Sequence, residues 1–134
     1  MDDLELDDRY IDQHIVAARD GIRDVAGLVD DGRLDAAAAL FRATRVQHVQ
    51  PVADELSDQF VENYAMVGRQ LAKRLQQDPT YAAMAPEFWD AVAKAYDRLA
   101  RTNAMNAVYK AFATDARLQA RTVHRPGPEL RNHR

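Results

Sequence analysis

His14 and His48 are the residues of this chain best suited to chemistry. An imidazole can bind a divalent metal through a ring nitrogen, or carry a proton near neutral pH. Both histidines lie in segments whose apolar residues recur at helical spacing. Between them stands Asp30-Asp31-Gly32, a turn signal. His14 precedes Asp31 by seventeen residues and His48 follows it by seventeen. In a hairpin folded symmetrically about that turn, the two rings reach similar heights on facing helices. Asp12, Asp54 and Glu55 are close in sequence and are candidate oxygen donors. Two histidines with carboxylates from neighbouring helices can hold a divalent metal inside a bundle. The favoured reading is nevertheless two independent, part-exposed histidines that never meet. Neither a Glu-x-x-His spacing nor a His-x-x-x-His pair occurs anywhere.

The other polar candidates read as structural. Asp58 and Glu62 are four residues apart and share a helix face, while Asp54 and Glu55 point to different sides. Acid–base work needs a carboxyl group at a perturbed pKa, usually through burial, and exposed carboxylates are the common case. Asn63, Asn103 and Asn106 fall at or beside apolar positions, where a buried amide can set helix register. Phe88, Trp89 and Tyr96 lie near Arg98 and Arg101. Such a set can stack nucleic-acid bases, but Asp90 and Asp97 interleave with the cations and the chain carries a net charge of -3. A core role for these aromatics is therefore expected, and nucleic acid is not an expected partner.

Charge is divided unevenly between the two ends. Residues 1–12 hold Asp2, Asp3, Glu5, Asp7, Asp8 and Asp12 against Arg9. Residues 117–134 hold Arg117, Arg121, Arg125, Arg131 and Arg134 against Glu129. Asp2, Asp3, Asp7 and Asp8 on one side, and Arg121, Arg125, Arg131 and Arg134 on the other, are candidate interaction residues within or between chains. The alternative is a pair of solvated tails. Binding of anions or nucleic acid by the C-terminal arginines is a third, weaker expectation.

The rest of the composition narrows the classes. With no cysteine there is no disulfide framework, thiolate metal site or cysteine nucleophile. No Gly-rich phosphate loop, nucleophile elbow or zinc-ligand spacing is present. The chain offers no recognisable catalytic machinery and implies no cofactor. Its acidic start, MDDLELDD, lacks the apolar core of a signal peptide, and no apolar run approaches a membrane span. A cytoplasmic protein with no membrane contact is expected.

The elements that must position these residues are helices. Ile11, Ile15, Ala18, Ile22, Val25 and Val29 form a stripe of alternating four- and three-residue steps, the pattern of a bundle or coiled-coil face. Gly32 can end that helix in a left-handed conformation. A second helix starts near Asp35, with Leu34, Ala38, Phe41, His48 and Val52 on its apolar face. Pro51 leaves two outcomes open: a kink in one long helix, or a new helix with proline in its first turn. The kinked helix is preferred, since no glycine or turn cluster stands nearby. The stripe runs on through Leu56, Phe60, Tyr64, Val67, Leu71 and Leu75 to Gln77-Asp78-Pro79. Pro86 opens a last helix, predicted to continue through Phe112 and to fray after Leu118. The tail HRPGPELRNHR has no periodicity.

The segment DDGRLDAAAALFRATRVQHVQPVADEL, residues 30–56, resembles the first helical hairpin of imelysin-like proteins. These are helical, usually periplasmic and linked to iron uptake. They often carry a small-residue turn, an alanine-rich helix and a Glu-Pro-Val/Ile-Ala-Glu-like segment, matched here by Gln50-Pro51-Val52-Ala53-Asp54. The resemblance implies a helical hairpin over about a fifth of the chain. The family's His-x-x-Glu element has no counterpart, so no metal site is carried over from it.

These observations predict an all-α protein: an antiparallel helical bundle of three to four long helices over residues 1–122, with an extended basic C-terminal arm over 123–134. The expected function is a non-enzymatic structural or adaptor protein. It would act through helix-mediated contacts with protein partners or itself, as a homo-oligomer or within a larger assembly. The alternative is a metal- or small-molecule-binding bundle, an oxidoreductase among the options, with His14 and His48 as ligands.

Overall fold

The computed structural model describes the backbone of residues 2–103 and 107–124, and side chains over 8–103 and 107–122. Every regular element among the described residues is helical. In chain order they are α1 (Asp2–Asp30), α2 (Leu34–Thr44), a π turn (Arg45–Val49), a 3-10 turn (Gln50–Glu55), α3 (Asp58–Gln77), a short 3-10 turn (Ala82–Met84), α4 (Ala85–Thr102) and α5 (Ala107–His124). The chain divides into two compact units, Met1–Phe60 and Val61–Arg134.

In the first unit, α1 ends as its sequence dictates. Gly32 takes φ 77°. Its amide donates to the Val29 carbonyl at 3.0 Å, and the Arg33 amide donates to Leu28 at 2.9 Å. This double closure satisfies carbonyls that a helix end otherwise leaves open. The chain then reverses into α2. Of the predicted stripe, Ala18, Ile22, Val25 and Val29 are buried and Ile11 and Ile15 only partly so; Leu34, Ala37, Ala38 and Phe41 of α2 are buried against it. The two helices run in opposite directions, with Gly21 beside Thr44 and, further from the turn, His14 beside His48.

Around Pro51 the preferred kinked helix is not found; the chain takes a short form of the other outcome, with proline in the first turn of a new helical segment. The inward positions run Leu34, Ala38, Phe41, Thr44 and then jump five residues to Val49, followed by Val52 and Leu56. The five-residue step is the π turn, one residue wider than an α turn. Pro51 lies in the first turn of the following 3-10 segment, where its missing N–H costs little. Val52 leaves helical geometry (φ -124°, ψ 29°) and Leu56 is extended. The break before α3 thus falls at Leu56-Ser57. The Phe60 amide donates to Ser57 Oγ at 3.1 Å, an N-cap with Asp58 in the first turn.

The second unit holds α4 and α5 with the larger part of α3. Contacts set their directions: Glu62 meets Tyr109, Arg69 meets Phe112 and Gln76 meets Gln119, so α3 and α5 run the same way. Trp89 meets Gln76, while Tyr96 meets Tyr109 and Phe112, so α4 runs against both. Its core includes Leu71, Leu75, Phe88, Trp89, Val92 and Leu99. The single last helix predicted from Pro86 to Leu118 is corrected: it is two helices, α4 and α5. Asn103 ends α4, with both its backbone N–H and its side-chain Nδ2 donating to the Leu99 carbonyl, at 2.9 and 3.0 Å. α5 runs through His124, past the fraying expected after Leu118 and into the first two residues of the expected arm, while residues 125–134 lie outside the described residues.

Candidate functional site

His14 and His48 meet across the first hairpin. Their Nδ1 atoms are 3.1 Å apart, with ring centroids at 5.2 Å and planes at 47°. α1 carries His14 part-way round from its buried stripe. The π turn gives the inward position to Val49, which leaves His48 half-buried at the margin. A regular α turn would have carried position 48 onto the face of Phe41, seven residues earlier. One turn before His14 on α1, the Tyr10 ring packs edge-on against the imidazole at 4.5 Å. A hydrogen bond between two Nδ1 atoms needs one protonated and one bare nitrogen, so at most one ring of the bonded pair is an imidazolium.

The carboxylates named beside the pair do not close around it. Asp12, Asp54 and Glu55 are exposed. No group of three or more histidine and carboxylate side chains suited to one metal ion occurs among the described residues.

The terminal charge candidates divide by what is described. Asp8 and Arg121 are exposed. The backbone of Asp2, Asp3 and Asp7 belongs to α1, but their side chains lie outside the described ones, and Arg125, Arg131 and Arg134 lie outside the described residues. Arg121 lines an open groove of about 510 Å³ between α4 and α5, with Lys94, Arg117 and Asp90. Arg117 is paired there with Asp97.

Phe88 and Trp89 are 1% exposed and Tyr96 is buried too, so these aromatics are core and offer no stacking platform. Asn63 is exposed, Asn103 caps α4, and Asn106 lies outside the described residues. Two polar clusters in the second unit went unread in the sequence. In one, Trp89 Nε1 donates to Gln76 Oε1 at 2.8 Å, and Gln76 Nε2 donates to Gln119 Oε1 at 3.2 Å. The available signal was a glutamine at the edge of a helical stripe, too common to single out. In the other, the Tyr109 hydroxyl donates to Glu62 at 2.9 Å and its ring stacks on Tyr96. Burial raises the Tyr96 phenol above its ordinary pKa. Arg69 opposes that rise and Glu62 adds to it.

The class these features define is broad: an all-α protein built from short-linked helices, with a cross-helix histidine pair at a π turn. No helix among the described residues is long and apolar enough to cross a membrane. Comparison with protein-family models, curated proteins and solved structures finds no match for this chain. The likeness of residues 30–56 to the imelysin hairpin therefore rests on the quoted residues alone.

Proposed function

We propose that this is a non-enzymatic structural or adaptor protein, an antiparallel helical bundle that works through contacts between helix faces and first of all through self-association. The observation that carries this is the composition of α5. That helix turns its small residues inward, burying Ala113, Ala116 and Ala120. It turns larger apolar ones outward: Val108 is 52% exposed and Leu118 51%. At about 100° per residue the two lie within about 80° of each other around the helix. Exposed Ala111 and Thr122 fall on the same side. Phe112, the largest apolar side chain of α5, packs inward on Tyr96, so Val108 and Leu118 are apolar surface beyond what the core uses and support a second contact face. Opposite charge toward the chain ends would favour a defined pairing of copies.

The test is light scattering coupled to size-exclusion chromatography over a wide concentration range. An oligomer that dissociates in V108E/L118E supports the proposal. A strict monomer at high concentration, with the same elution in that double variant and after deletion of residues 123–134, overturns it.

A further inference from the structure

We infer that His14 and His48 together form the protein half of an open binding site for a late first-row divalent cation, zinc or copper. This is independent of the scaffold proposal, since it uses side chains of the first unit alone.

The two Nδ1 atoms lie 3.1 Å apart. Nitrogens bound to one ion at the usual zinc distance are about 2.9 Å apart at a right angle and about 3.4 Å apart in a tetrahedron. The observed spacing lies between those limits, so a cation can take the place of the shared proton with small ring rotations. The centroids fit as well: two imidazoles on one tetrahedral ion have centroids about 5 Å apart, against the 5.2 Å found here. Imidazole nitrogen selects zinc, copper or nickel over calcium and magnesium, which prefer oxygen.

The site is also positioned by its surroundings. The rings come from different helical segments, seventeen residues either side of Asp31. Tyr10 packs against one of them and limits its swing. The other sits in the π turn, a feature found often at functional positions because it re-aims one side chain without breaking the helix. Because no third protein donor joins the pair among the described residues, the rest of the coordination sphere belongs to water or an incoming ligand. That makes the site exchangeable, not a closed structural centre.

Zinc chloride titrated into the tag-free full-length protein is the direct test, read by calorimetry and by histidine ring ¹⁵N chemical shifts. The expected result is one ion per chain, with the Nδ1 resonances of both histidines moving. Affinity should fall by roughly tenfold or more in His14→Gln and in His48→Gln, because a single imidazole cannot chelate. A variant lacking the other two histidines, H124Q/H133Q, should bind as the parent does. Circular dichroism of each variant separates loss of the ligand from loss of the fold. No stoichiometric binding, binding that survives both single replacements, or movement of the Nε2 resonances in place of Nδ1 would overturn the inference.

Discussion

Two glycines of α1 offer a controlled measurement of how tightly the first hairpin is packed. A Cβ added at Gly27 meets nothing within 4 Å. A Cβ added at Gly21 would lie 2.4 Å from Thr44 Oγ1 and 2.8 Å from Thr44 Cγ2. Both positions are helical, so Gly→Ala at either gains up to about 1 kcal/mol of backbone preference. Only at Gly21 does the new methyl need space that is filled. Thr44 is 3% exposed and β-branched, so it has little freedom to swing aside. Overpacking of this kind costs about 1–3 kcal/mol. Gly27→Ala should therefore stabilise by up to about 1 kcal/mol, and Gly21→Ala should be neutral or destabilise by up to about 2 kcal/mol. The assay is thermal and urea unfolding followed by far-ultraviolet circular dichroism. At roughly 4 °C per kcal/mol for a chain of this size, the two variants should melt about 4–12 °C apart. Thr44→Ala supplies the second side of a double-mutant cycle. It removes both offending atoms and leaves only Cβ, at 3.2 Å. In that background the Gly21→Ala penalty should shrink by about 1 kcal/mol or more. If Gly21→Ala melts with or above Gly27→Ala, or if Thr44→Ala leaves the gap unchanged, close approach of α1 and α2 is not what Gly21 provides.

Two further outcomes follow from particular bonds. Ser57→Ala removes the side-chain acceptor of the Phe60 amide and should cost about 1 kcal/mol, with Ser57→Asp close to the parent; equal urea midpoints for all three would discount the cap. Tyr96, held neutral by burial, titrates above its ordinary value in the folded state. Its contribution to stability is thus complete below pH 10 and is lost as pH rises through the folded-state value. Absorbance at 295 nm should show part of the five-tyrosine titration lagging, and Tyr96→Phe should reduce the lagging amplitude; superimposable curves for parent and variant, scaled per tyrosine, would refute the burial argument.

What could be read from the sequence was whatever follows a period or a local backbone rule. The α1 stripe needs only its spacing, and the helix end at Gly32 needs only a residue tolerant of positive φ. Symmetry about Asp31 puts His14 and His48 at similar heights, but the expectation that the two never meet is overturned: the hairpin brings their rings into contact, which spacing alone does not decide. The end of α4 was illegible for the opposite reason. Leu99 and Ala100 before Asn103, and Ala104, Met105, Ala107 and Val108 after it, sustain a helical period with no glycine or proline between them. The stop is at Asn103, which leaves helical geometry (φ -132°, ψ 58°) and folds its side chain back onto the Leu99 carbonyl that its own N–H already uses. Asparagine at core-like spacing suggests a register device, whereas Asn103 acts as a terminator. Gly21 is illegible in the sequence because a helical glycine has meaning only when the atoms opposite it, here those of Thr44, are known.

The π turn shows where one-dimensional reasoning stops, and why its failure falls beside the candidate site. In an unbroken α-helix Phe41 and residue 48 share a face, so the sequence pattern draws His48 toward the core. A buried imidazole there would need a partner for each ring nitrogen that water no longer satisfies. One extra residue in the turn resolves this conflict. Val49 takes the inward position, and His48 moves to the margin, where its Nδ1 reaches His14. An energetically poorer turn is thus offset by apolar burial on one side and a satisfied polar contact on the other. Local preference and tertiary packing disagree at this place, and the packing decides. Such disagreements concentrate where side chains are positioned for purposes other than stability.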